Sequence, residues 1–374
     1  MHILFAQKWG YFPNVGGGSR SQRLMIEGVA NRGHRCDVLT PDWLGTGAVR
    51  VDRARAEATG VRLHLASGPM ADALESLIHR LQPDLVVLPN DDEDWALLRA
   101  ALRAAPGRVV CFVHTLQQLP FGPAAFARDA AATDALRECA RVISVSEAAK
   151  SYLLQEGGIE SVVVLPQVYD DYRHADPVAG GRAVLLINPC PYKGIDIFLE
   201  LARRLPQHPF LAVPGWATTD ADRRRLAAEP NVRILPGYSD AREVLGSARL
   251  VLMPSLCAET FGYTSVEAML LGVPVVASAI CGLAQAKLGV PHSLEVDPIV
   301  EYLPSGPQWR PDCVVPPQDI EPWLVVVRSL LEDDTQHTAL SARSRTAARA
   351  FANSIDPAAL TTVLATTAAA AGRV

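Results

Sequence analysis

Short runs of apolar, often β-branched residues recur along this chain, and each is followed by a stretch with the composition of a helix or a turn. Most runs are continuous and lack in–out alternation, which is typical of parallel strands covered on both faces by helices. The predicted strands are Ile3–Ala6, Cys36–Thr40, Val61–Leu65, Leu85–Leu88, Val109–Val113, Val142–Val145, Val162–Leu165, Ala183–Ile187, Phe210–Val213, Val232–Leu235, Leu250–Met253, Val273–Ala277 and Cys313–Val315. This succession, with helical segments between the strands, predicts an α/β fold in which a doubly wound, Rossmann-like sheet occurs twice.

A polar, turn-rich segment at residues 167–181 separates the two sets of predicted strands and has no hydrophobic periodicity. Since 374 residues suffice for two domains of ordinary size, we place one domain at residues 1–170 and the second at 171–374. The Ala/Arg-rich segment Ala339–Ala350 and the tail from Leu360 have high helix propensity. The last helix is free in this prediction to pack back on the first domain.

The composition excludes several classes of function. A formal net charge of −5 leaves no basic excess to neutralise the phosphates of a nucleic acid. The seven cysteines are scattered and form no C-x-x-C pair, so neither a disulfide framework nor a structural zinc site is indicated. The sequence shows no signal peptide and no apolar run of about 18 residues that would span a membrane. We therefore predict a cytoplasmic protein with no integral membrane segment.

Three consecutive glycines, Gly16–Gly18, follow the first predicted strand and open an amphipathic stretch. Glycines at the start of a helix expose backbone N–H groups, which suits an anion such as phosphate. A nicotinamide dinucleotide site is disfavoured, because its G-x-G-x-x-G fingerprint follows the strand directly and here about ten residues intervene. A flexible turn without a ligand is the alternative interpretation of the glycines taken alone.

The second domain opens with a strand and the turn Asn188–Gly194. Lys193 in this turn is well placed to meet a diphosphate as a point charge, although a solvated lysine is the more ordinary explanation of these residues alone. Further along, Glu259 lies in a loop with Gly262, and Glu267 lies in the following helix. We expect Thr264 or Ser265 to cap that helix, Glu267 to fall in its first turn, and Gly272 to end it. Carboxylates and free amides in this arrangement suit sugar hydroxyls and a phosphate.

The segment Pro254–Ser278 has the pattern Pro-Ser-x₃-Glu-Thr-Phe-Gly-x₄-Glu-Ala-Met-x₂-Gly-Val-Pro-Val-Val-Ala-Ser. It resembles the E-x₇-E donor motif of the retaining glycosyltransferases of family 4, which have the GT-B fold of two Rossmann-like domains facing across a cleft. The resemblance extends in order to the glycine loop, to Val145-Ser146-Glu147 and to Lys193-Gly194. The E-x₇-E stretch is highly specific, whereas the other three are weak individually.

The resemblance implies a role for each matching residue in binding a nucleoside-diphosphate sugar. It implies that Glu259 holds hydroxyls of the donor sugar and that Glu267 binds the ribose. It also implies that Lys193 neutralises the diphosphate and that His114 reaches the transferred sugar. For His114, a ring satisfied by its neighbours at a strand end is the competing interpretation. The remaining implied donor contacts are the amides of Gly17, Gly18, Thr260, Phe261 and Gly262, and the side chain of Asn188.

Asn188 departs from the family pattern, which usually has an arginine five residues before the lysine. One of two cations expected at the leaving diphosphate is therefore absent, which leaves a variant donor site or an inactive protein as alternatives. The implied reaction is same-face attack by an acceptor hydroxyl, with no metal and no cofactor, so that Glu259 and Glu267 bind and are not an acid–base pair. Other GT-B enzymes, such as a nucleotide-sugar epimerase or a phosphorylase, and a non-catalytic sugar-nucleotide binding protein stay open. The donor base, the acceptor and the oligomeric state also stay open.

Two further groups in the first domain invite interpretation. The acidic run Asp91–Asp94 suggests a metal, but a solvated loop or an acceptor contact suits its position after a first-domain strand better. Trp9, Tyr11, Phe12 and the stretch Leu116–Phe126 suit an apolar wall for the acceptor, and ordinary packing explains them equally well.

Overall fold

The computed structural model describes residues 1–12, 16–42, 52–92, 94–178, 180–237 and 240–372. The chain forms two compact units. One consists of Met1–Val168 together with Ile355–Val374, and the other of Tyr169–Ser354. Each unit is built around a sheet of parallel strands, as the continuous apolar runs predicted.

The first unit contains a seven-stranded parallel sheet. Its strands are β1 (His2–Ala6), β2 (Arg35–Pro41), β3 (Val61–Ala66), β4 (Leu85–Pro89), β5 (Val109–Val113), β6 (Arg141–Ser144) and β7 (Val162–Val163). Their order is β3-β2-β1-β4-β5-β6-β7, so the sheet changes winding direction between β1 and β4. In such sheets ligands bind outside the carboxyl ends of the strands near this reversal, which puts the loops after β1, β4 and β5 in the expected place.

The helices described between these strands are α1 (Gly16–Ala30), α2 (Arg53–Glu57), α3 (Met70–Leu81), α4 (Ala96–Ala104), α5 (Ala130–Arg137) and α6 (Glu147–Gly157). Helix α6 begins where the Val145-Ser146-Glu147 match lies. The Ser146 hydroxyl accepts a hydrogen bond from the Ala149 N–H at 3.0 Å and so caps this helix.

The second unit contains a six-stranded parallel sheet. Its strands are β8 (Ala183–Ile187), β9 (Phe210–Val213), β10 (Val232–Ile234), β11 (Ala248–Met253), β12 (Val275–Ser278) and β13 (Ser293–Leu294). Their order is β10-β9-β8-β11-β12-β13, with the reversal between β8 and β11. The prediction of a strand at Cys313–Val315 is wrong, because Cys313 makes only an isolated antiparallel bridge to Tyr302. The sixth strand is β13, which is too short to stand out in the sequence.

The helices of this unit are α7 (Asp170–Arg173), α8 (Ile195–Arg204), α9 (Asp220–Ala227), α10 (Ala241–Leu245), α11 (Tyr263–Leu270), α12 (Cys281–Ala286), α13 (Glu321–Glu332) and α14 (Asp334–Ser354). Helix α14 confirms the helix predicted at Ala339–Ala350 and is longer at both ends. Among the described residues, no helix combines the length and the apolar composition that a membrane crossing requires.

The last helix, α15 (Ala359–Ala370), belongs by its contacts to the first unit. Its buried residues Leu360, Leu364 and Ala368 are fixed by packing on α1 and the adjoining core. The chain therefore leaves the first unit after Val168 and re-enters it at Ile355. The predicted boundary assigned residues 171–374 to the second domain but left the last helix free to pack on the first domain, so only the assignment of this helix differs. The buried face of α15 is the physical reason for this difference, since burying it stabilises the helix against the first core.

Lys287, just after α12, is a buried cationic side chain within the second unit. It is 1% exposed, and its Nζ donates a hydrogen bond to the Val275 carbonyl at the start of β12. Burial lowers the pKa of Lys287 to about 7, since no nearby carboxylate in the described part of the chain compensates for the lost hydration.

Candidate active site

The loop between β11 and α11 carries Glu259 and enters the helix through Gly262. Gly262 has φ +108°, a backbone conformation that residues with a Cβ rarely adopt, so glycine is required at this position. The expected cap at Thr264 or Ser265 is wrong, because the left-handed glycine lets the helix begin at Tyr263. Glu267 consequently lies beyond the first turn of α11, at 5% exposure, and not within it as expected.

The end of α11 follows the prediction. Leu271 is the C-cap residue of α11, and Gly272 follows it with φ +79°, the left-handed conformation that commonly terminates a helix. The Gly272 N–H donates to the Met269 carbonyl at 3.0 Å. The helix that holds Glu267 is thus fixed by a glycine just outside each of its ends.

Lys193 and Glu259 meet at the carboxyl edge of the second sheet. Residues Pro191–Lys193 form a single 3₁₀ turn after β8, and the Lys193 ammonium pairs with Glu259 Oε1. The same oxygen accepts a hydrogen bond from the Ser255 hydroxyl at 2.6 Å. Burial opposes the charge on Lys193, but the Glu259 carboxylate outweighs it and holds the pKa of this lysine above its usual value. Two predicted site residues from distant segments therefore form one charged pair.

The backbone around this pair is held in place by close contacts. Gly194 has φ +69°, and a Cβ on it would strike the Pro254 carbonyl, so the Lys193 turn packs directly against the Glu259 loop. The Tyr192 carbonyl accepts a hydrogen bond from the Leu256 N–H at 2.9 Å. The Glu259 carbonyl in turn accepts from the Gly282 N–H at 2.8 Å. The ion pair is therefore positioned by backbone on both sides.

Thr260 and Phe261 are both largely buried in the same loop. The Phe261 ring packs 5.8 Å from the ring of Phe351, so its side chain is part of the core of the second unit. Any contact of Phe261 with a donor would therefore involve its backbone, as the sequence implied. The donor roles of Thr260, Phe261 and Gly262 stay predictions.

Asn188 follows β8 directly and adopts φ +59°, a left-handed conformation that asparagine tolerates better than most residues. Its Oδ1 accepts hydrogen bonds from the Ala217 N–H at 3.0 Å and the Thr218 hydroxyl at 3.3 Å. Its Nδ2 is buried and has no partner among the described residues. The oxygen of Asn188 thus holds the turn after β9, while the amide nitrogen keeps a donor unused.

The glycines near the first strand form the opening turn of α1, where Gly16–Gly18 are the first helical residues. The first N–H groups of a helix lack intrahelical acceptors, so this turn presents donors of the kind an anion needs. A Cβ placed on Gly18 would lie 3.8 Å from the Cβ of His114. The structure therefore brings together two predicted site residues of the first unit, Gly18 and His114, as it does Lys193 and Glu259 in the second.

His114 follows β5 and is fixed in position by its backbone and its ring face. Its N–H donates to Asn90 Oδ1 at 2.8 Å, and its ring stacks on Phe112 with centroids 4.5 Å apart. Both ring nitrogens are buried, and neither has a partner among the described residues. The interpretation of His114 as a satisfied histidine is therefore wrong. Burial lowers its pKa to about 3, so the ring is neutral at ordinary pH and has one donor and one acceptor unused.

The acidic run after β4 is only partly a solvated loop. Asp92 is buried, and its Oδ2 accepts from the N–H groups of Leu97 at 2.8 Å and Leu98 at 3.2 Å, so it anchors the start of α4. Lys8 forms ion pairs with Asp92 at 2.8 Å and with Asp94 at 2.9 Å. Glu93 lies outside the described residues. Within the described ranges, no group of three or more His, Cys, Asp or Glu side chains is arranged to hold a metal ion.

Burial favours the packing interpretation of the aromatic residues after β1. Tyr11 is fully buried and Phe12 is 5% exposed. The guanidinium groups of Arg23 and Arg55 lie 4.4 and 4.6 Å from the centre of the Phe12 ring. Tyr11 and Phe12 therefore belong to the core of the first unit and not to an apolar acceptor wall.

Two residues that orient site groups were missed at the level of sequence. The Ser255 hydroxyl donates a hydrogen bond to the Glu259 carboxylate, and the side-chain Oδ1 of Asn90 accepts one from the His114 backbone N–H. The available signal was their position, because each follows the end of a strand next to the reversal of its sheet, where β4 and β11 end.

Comparison with known proteins places both halves of the chain. Residues 15–173 match the family model described as Glycosyltransferase Family 4, and residues 183–333 match the model described as Glycosyl transferases group 1. A segment of 144 residues is 26% identical to the lipopolysaccharide glucosyltransferase WaaG of Escherichia coli K12. This segment covers 33% of the present chain and 38% of that relative.

Solved structures resemble the chain over nearly its whole length. HepE of Anabaena, in complex with UDP and glucose, has a TM-score of 0.71 at 19% identity, over 98% of this chain and 99% of that one. A glycosyltransferase from Rickettsia africae has a TM-score of 0.69 at 16% identity, over 98% of each chain. Likeness at this identity establishes the fold, and the two family models establish the kinship. The chain belongs to the glycosyltransferases of family 4 type and has the GT-B fold.

Proposed function

We propose that this protein is a retaining glycosyltransferase that moves a sugar from a nucleoside-diphosphate sugar to an acceptor hydroxyl. The observation that carries the proposal is the Lys193–Glu259 pair beside Ser255 at the carboxyl edge of the second sheet. A cation next to a carboxylate that accepts hydrogen bonds matches a sugar diphosphate, which presents negative charge and hydroxyl donors side by side. Glu267, buried on α11, is assigned to the donor ribose.

Retention in this proposal does not use a carboxylate nucleophile. Retaining glycosidases place two carboxyl groups on either side of the reacting bond. In this proposal Glu259, oriented by Lys193 and Ser255, instead holds hydroxyls of the donor sugar, and Glu267 binds the ribose. Same-face attack is the alternative. The leaving diphosphate accepts the proton of the acceptor hydroxyl, the new glycosidic bond forms on the face from which the diphosphate departs, and Lys193 stabilises the departing charge.

His114 is assigned in this proposal to the transferred sugar. Its neutral ring offers an unused N–H and an unused nitrogen, and a ligand hydroxyl satisfies groups that otherwise stay buried and unpaired. The helix N-terminus at Gly17 and Gly18 is assigned to the phosphates of the donor. UDP and glucose in HepE make uridine diphosphate sugars the first donors to test.

The experiment is a thermal unfolding screen with uridine, guanosine, adenosine and thymidine diphosphates and their sugars, followed by transfer assays with the best donor. One nucleotide series is expected to raise the unfolding temperature, since a ligand at 100 times its Kd stabilises by about 2.7 kcal/mol. The anomeric configuration of the product, followed by NMR, is expected to equal that of the donor, and a chelator is expected to leave the rate unchanged. An inverted product would refute retention, and epimerised or phosphorolysed donor without transfer would indicate another type of GT-B enzyme.

Replacing His114 with phenylalanine is expected to separate stability from activity. The phenyl ring keeps the stacking on Phe112 and removes two unpaired nitrogens, so the unfolding temperature should stay level or rise. Transfer should slow by roughly 10- to 100-fold through loss of the contact to the sugar. The exposed His79, replaced in the same way, is the control. Wild-type activity should show no ionisation of this histidine between pH 5 and 9, because its pKa is about 3.

A further inference from the structure

A hairpin of the second unit lies over the turn that carries Lys193. Residues 301–314 fold back through the Tyr302–Cys313 bridge, with the Leu303 N–H donating to the Asp312 carbonyl at 2.8 Å. The Tyr192 hydroxyl donates to the Pro311 carbonyl, and the rings of Tyr192 and Tyr302 lie 6.3 Å apart. We call these residues the 301–314 hairpin. It is fixed to the residue immediately before Lys193.

A tight turn after β9, residues 215–218, is fixed to Asn188, which begins the segment that ends at Lys193. The Thr218 N–H donates to the Gly215 carbonyl at 3.2 Å, which places Trp216 at the tip of the turn. Asn188 holds this turn because its Oδ1 accepts hydrogen bonds from the Ala217 N–H and the Thr218 hydroxyl. A Cβ on Gly215 would lie 2.7 Å from the Asn188 Cβ, so the glycine lets the turn pack directly against the Asn188 side chain. Asn188 therefore holds the turn by packing as well as by hydrogen bonds.

Trp216 and Trp309 come together from these two elements. Their ring centroids are 6.0 Å apart, and the Arg310 guanidinium lies 5.7 Å from the Trp309 ring. Trp216 is 45% exposed although it is a large apolar side chain. Each tryptophan lies one or two residues from a residue that contacts the Asn188–Lys193 segment. A pair of indoles, of which Trp216 is exposed and Trp309 is half-buried, thus borders the turn that holds the cation of the proposed donor site.

We propose that Trp216 and Trp309 form the stacking surface for the nucleobase of the donor, an inference that rests on the proposed function. In a nucleoside diphosphate one ribose joins the base to the diphosphate, so a diphosphate at Lys193 brings its base to the border of this turn. Every nucleobase has a π-face that stacks on an indole, so such a surface accepts a base of any identity. The Arg310 guanidinium beside Trp309 is suited to the carbonyl oxygens of a base.

The test compares nucleoside diphosphates with inorganic pyrophosphate, which has no base. Trp216→Ala is expected to lower the affinity for the best-binding nucleoside diphosphate by roughly 10-fold or more and to leave the affinity for pyrophosphate unchanged. Trp216→Phe should retain most of the affinity, because a smaller aromatic face remains. Nucleotide binding should quench the fluorescence of Trp216, measured as the difference between the wild type and Trp216→Phe. Val325→Ala, at a 65% exposed position on α13, is the control.

Each contrary result has its own meaning. Equal weakening of pyrophosphate and nucleotide by Trp216→Ala would show that the indole only holds the loop, and would overturn the stacking surface. Unchanged affinity for both would overturn it as well, and the proposed function would stand. A wild-type protein that binds neither pyrophosphate nor any nucleoside diphosphate would overturn the proposed function together with this inference.

Discussion

Replacing Lys193 with methionine is expected to slow sugar transfer by roughly 100- to 1,000-fold, the usual effect of removing one preorganised charge from a departing anion. The methionine side chain has nearly the length of the lysine stem, so the packing of the turn is kept. The Kd of the nucleoside diphosphate should rise as well, because Lys193 contacts the ground state and the departing group alike. Initial rates at saturating donor and calorimetric titration with the nucleotide measure the two effects.

The stability of this variant requires a paired control. Removing Lys193 leaves the Glu259 carboxylate, whose side chain is only 15% exposed, without its cation, and breaking such a pair costs about 3–5 kcal/mol when it is fully buried. Lys193→Met combined with Glu259→Gln removes both charges and should recover much of the stability without recovering transfer. Lys150→Met removes a lysine paired with Glu147 at the surface of the first unit and should change neither. Wild-type turnover in Lys193→Met would refute the assignment of the site.

Replacing Lys287 with methionine is expected to stabilise the protein by roughly 2–4 kcal/mol at pH 7. Burial removes water from the Lys287 ammonium, and no carboxylate among the described residues compensates for this loss. The folded pKa of about 7 lies below the ordinary value of 10.5. Between these values the unfolded chain binds more protons than the folded one, so the free energy of unfolding of the wild type rises with pH. The advantage of the variant should therefore be full below pH 7 and shrink towards pH 10.

Denaturant unfolding of both proteins at pH 6.5, 8 and 9.5 measures this dependence. Groups that do not interact with Lys287 cancel in the difference, whereas His292, whose pKa is lowered by burial and by the Lys287 charge, does not. Lys150→Met, at an exposed position, should show no such trend. A difference that stays constant with pH would mean that Lys287 keeps its proton in the folded state.

The sheets were predictable because their signal is local. A strand covered on both faces must be apolar at every position, and Val109–Val113 and Ala183–Ile187 were predicted at their observed bounds. The prediction at Cys313–Val315 failed for the complementary reason. A run of three apolar residues has no intrinsic preference between a parallel strand and a bridge in a hairpin, and its partner, Tyr302, decides the outcome.

The site was predictable in its residues and less so in their contacts. The E-x₇-E motif and the Lys193-Gly194 turn indicated which side chains to examine, but their pairing joins positions 66 residues apart and depends on how β8 and β11 neighbour each other. The role of Asn188 in holding the turn of Trp216 depends on its packing against Gly215. The lack of partners for the ring nitrogens of His114 depends on how that ring is buried. These are tertiary properties that no short window of sequence contains.

The return of the chain at Ile355 has a consequence for the order in which the protein matures on the ribosome. Leu360 of α15 lines a small cavity in the first unit together with Phe5, Met25 and the ring of His114. Synthesis proceeds from the N-terminus, so the first sheet and the entire second unit emerge before this leucine does. Until then the nascent first unit lacks one wall around its histidine. All residues of the second unit are therefore synthesised before those of the first unit are complete, although the first unit contains the N-terminus.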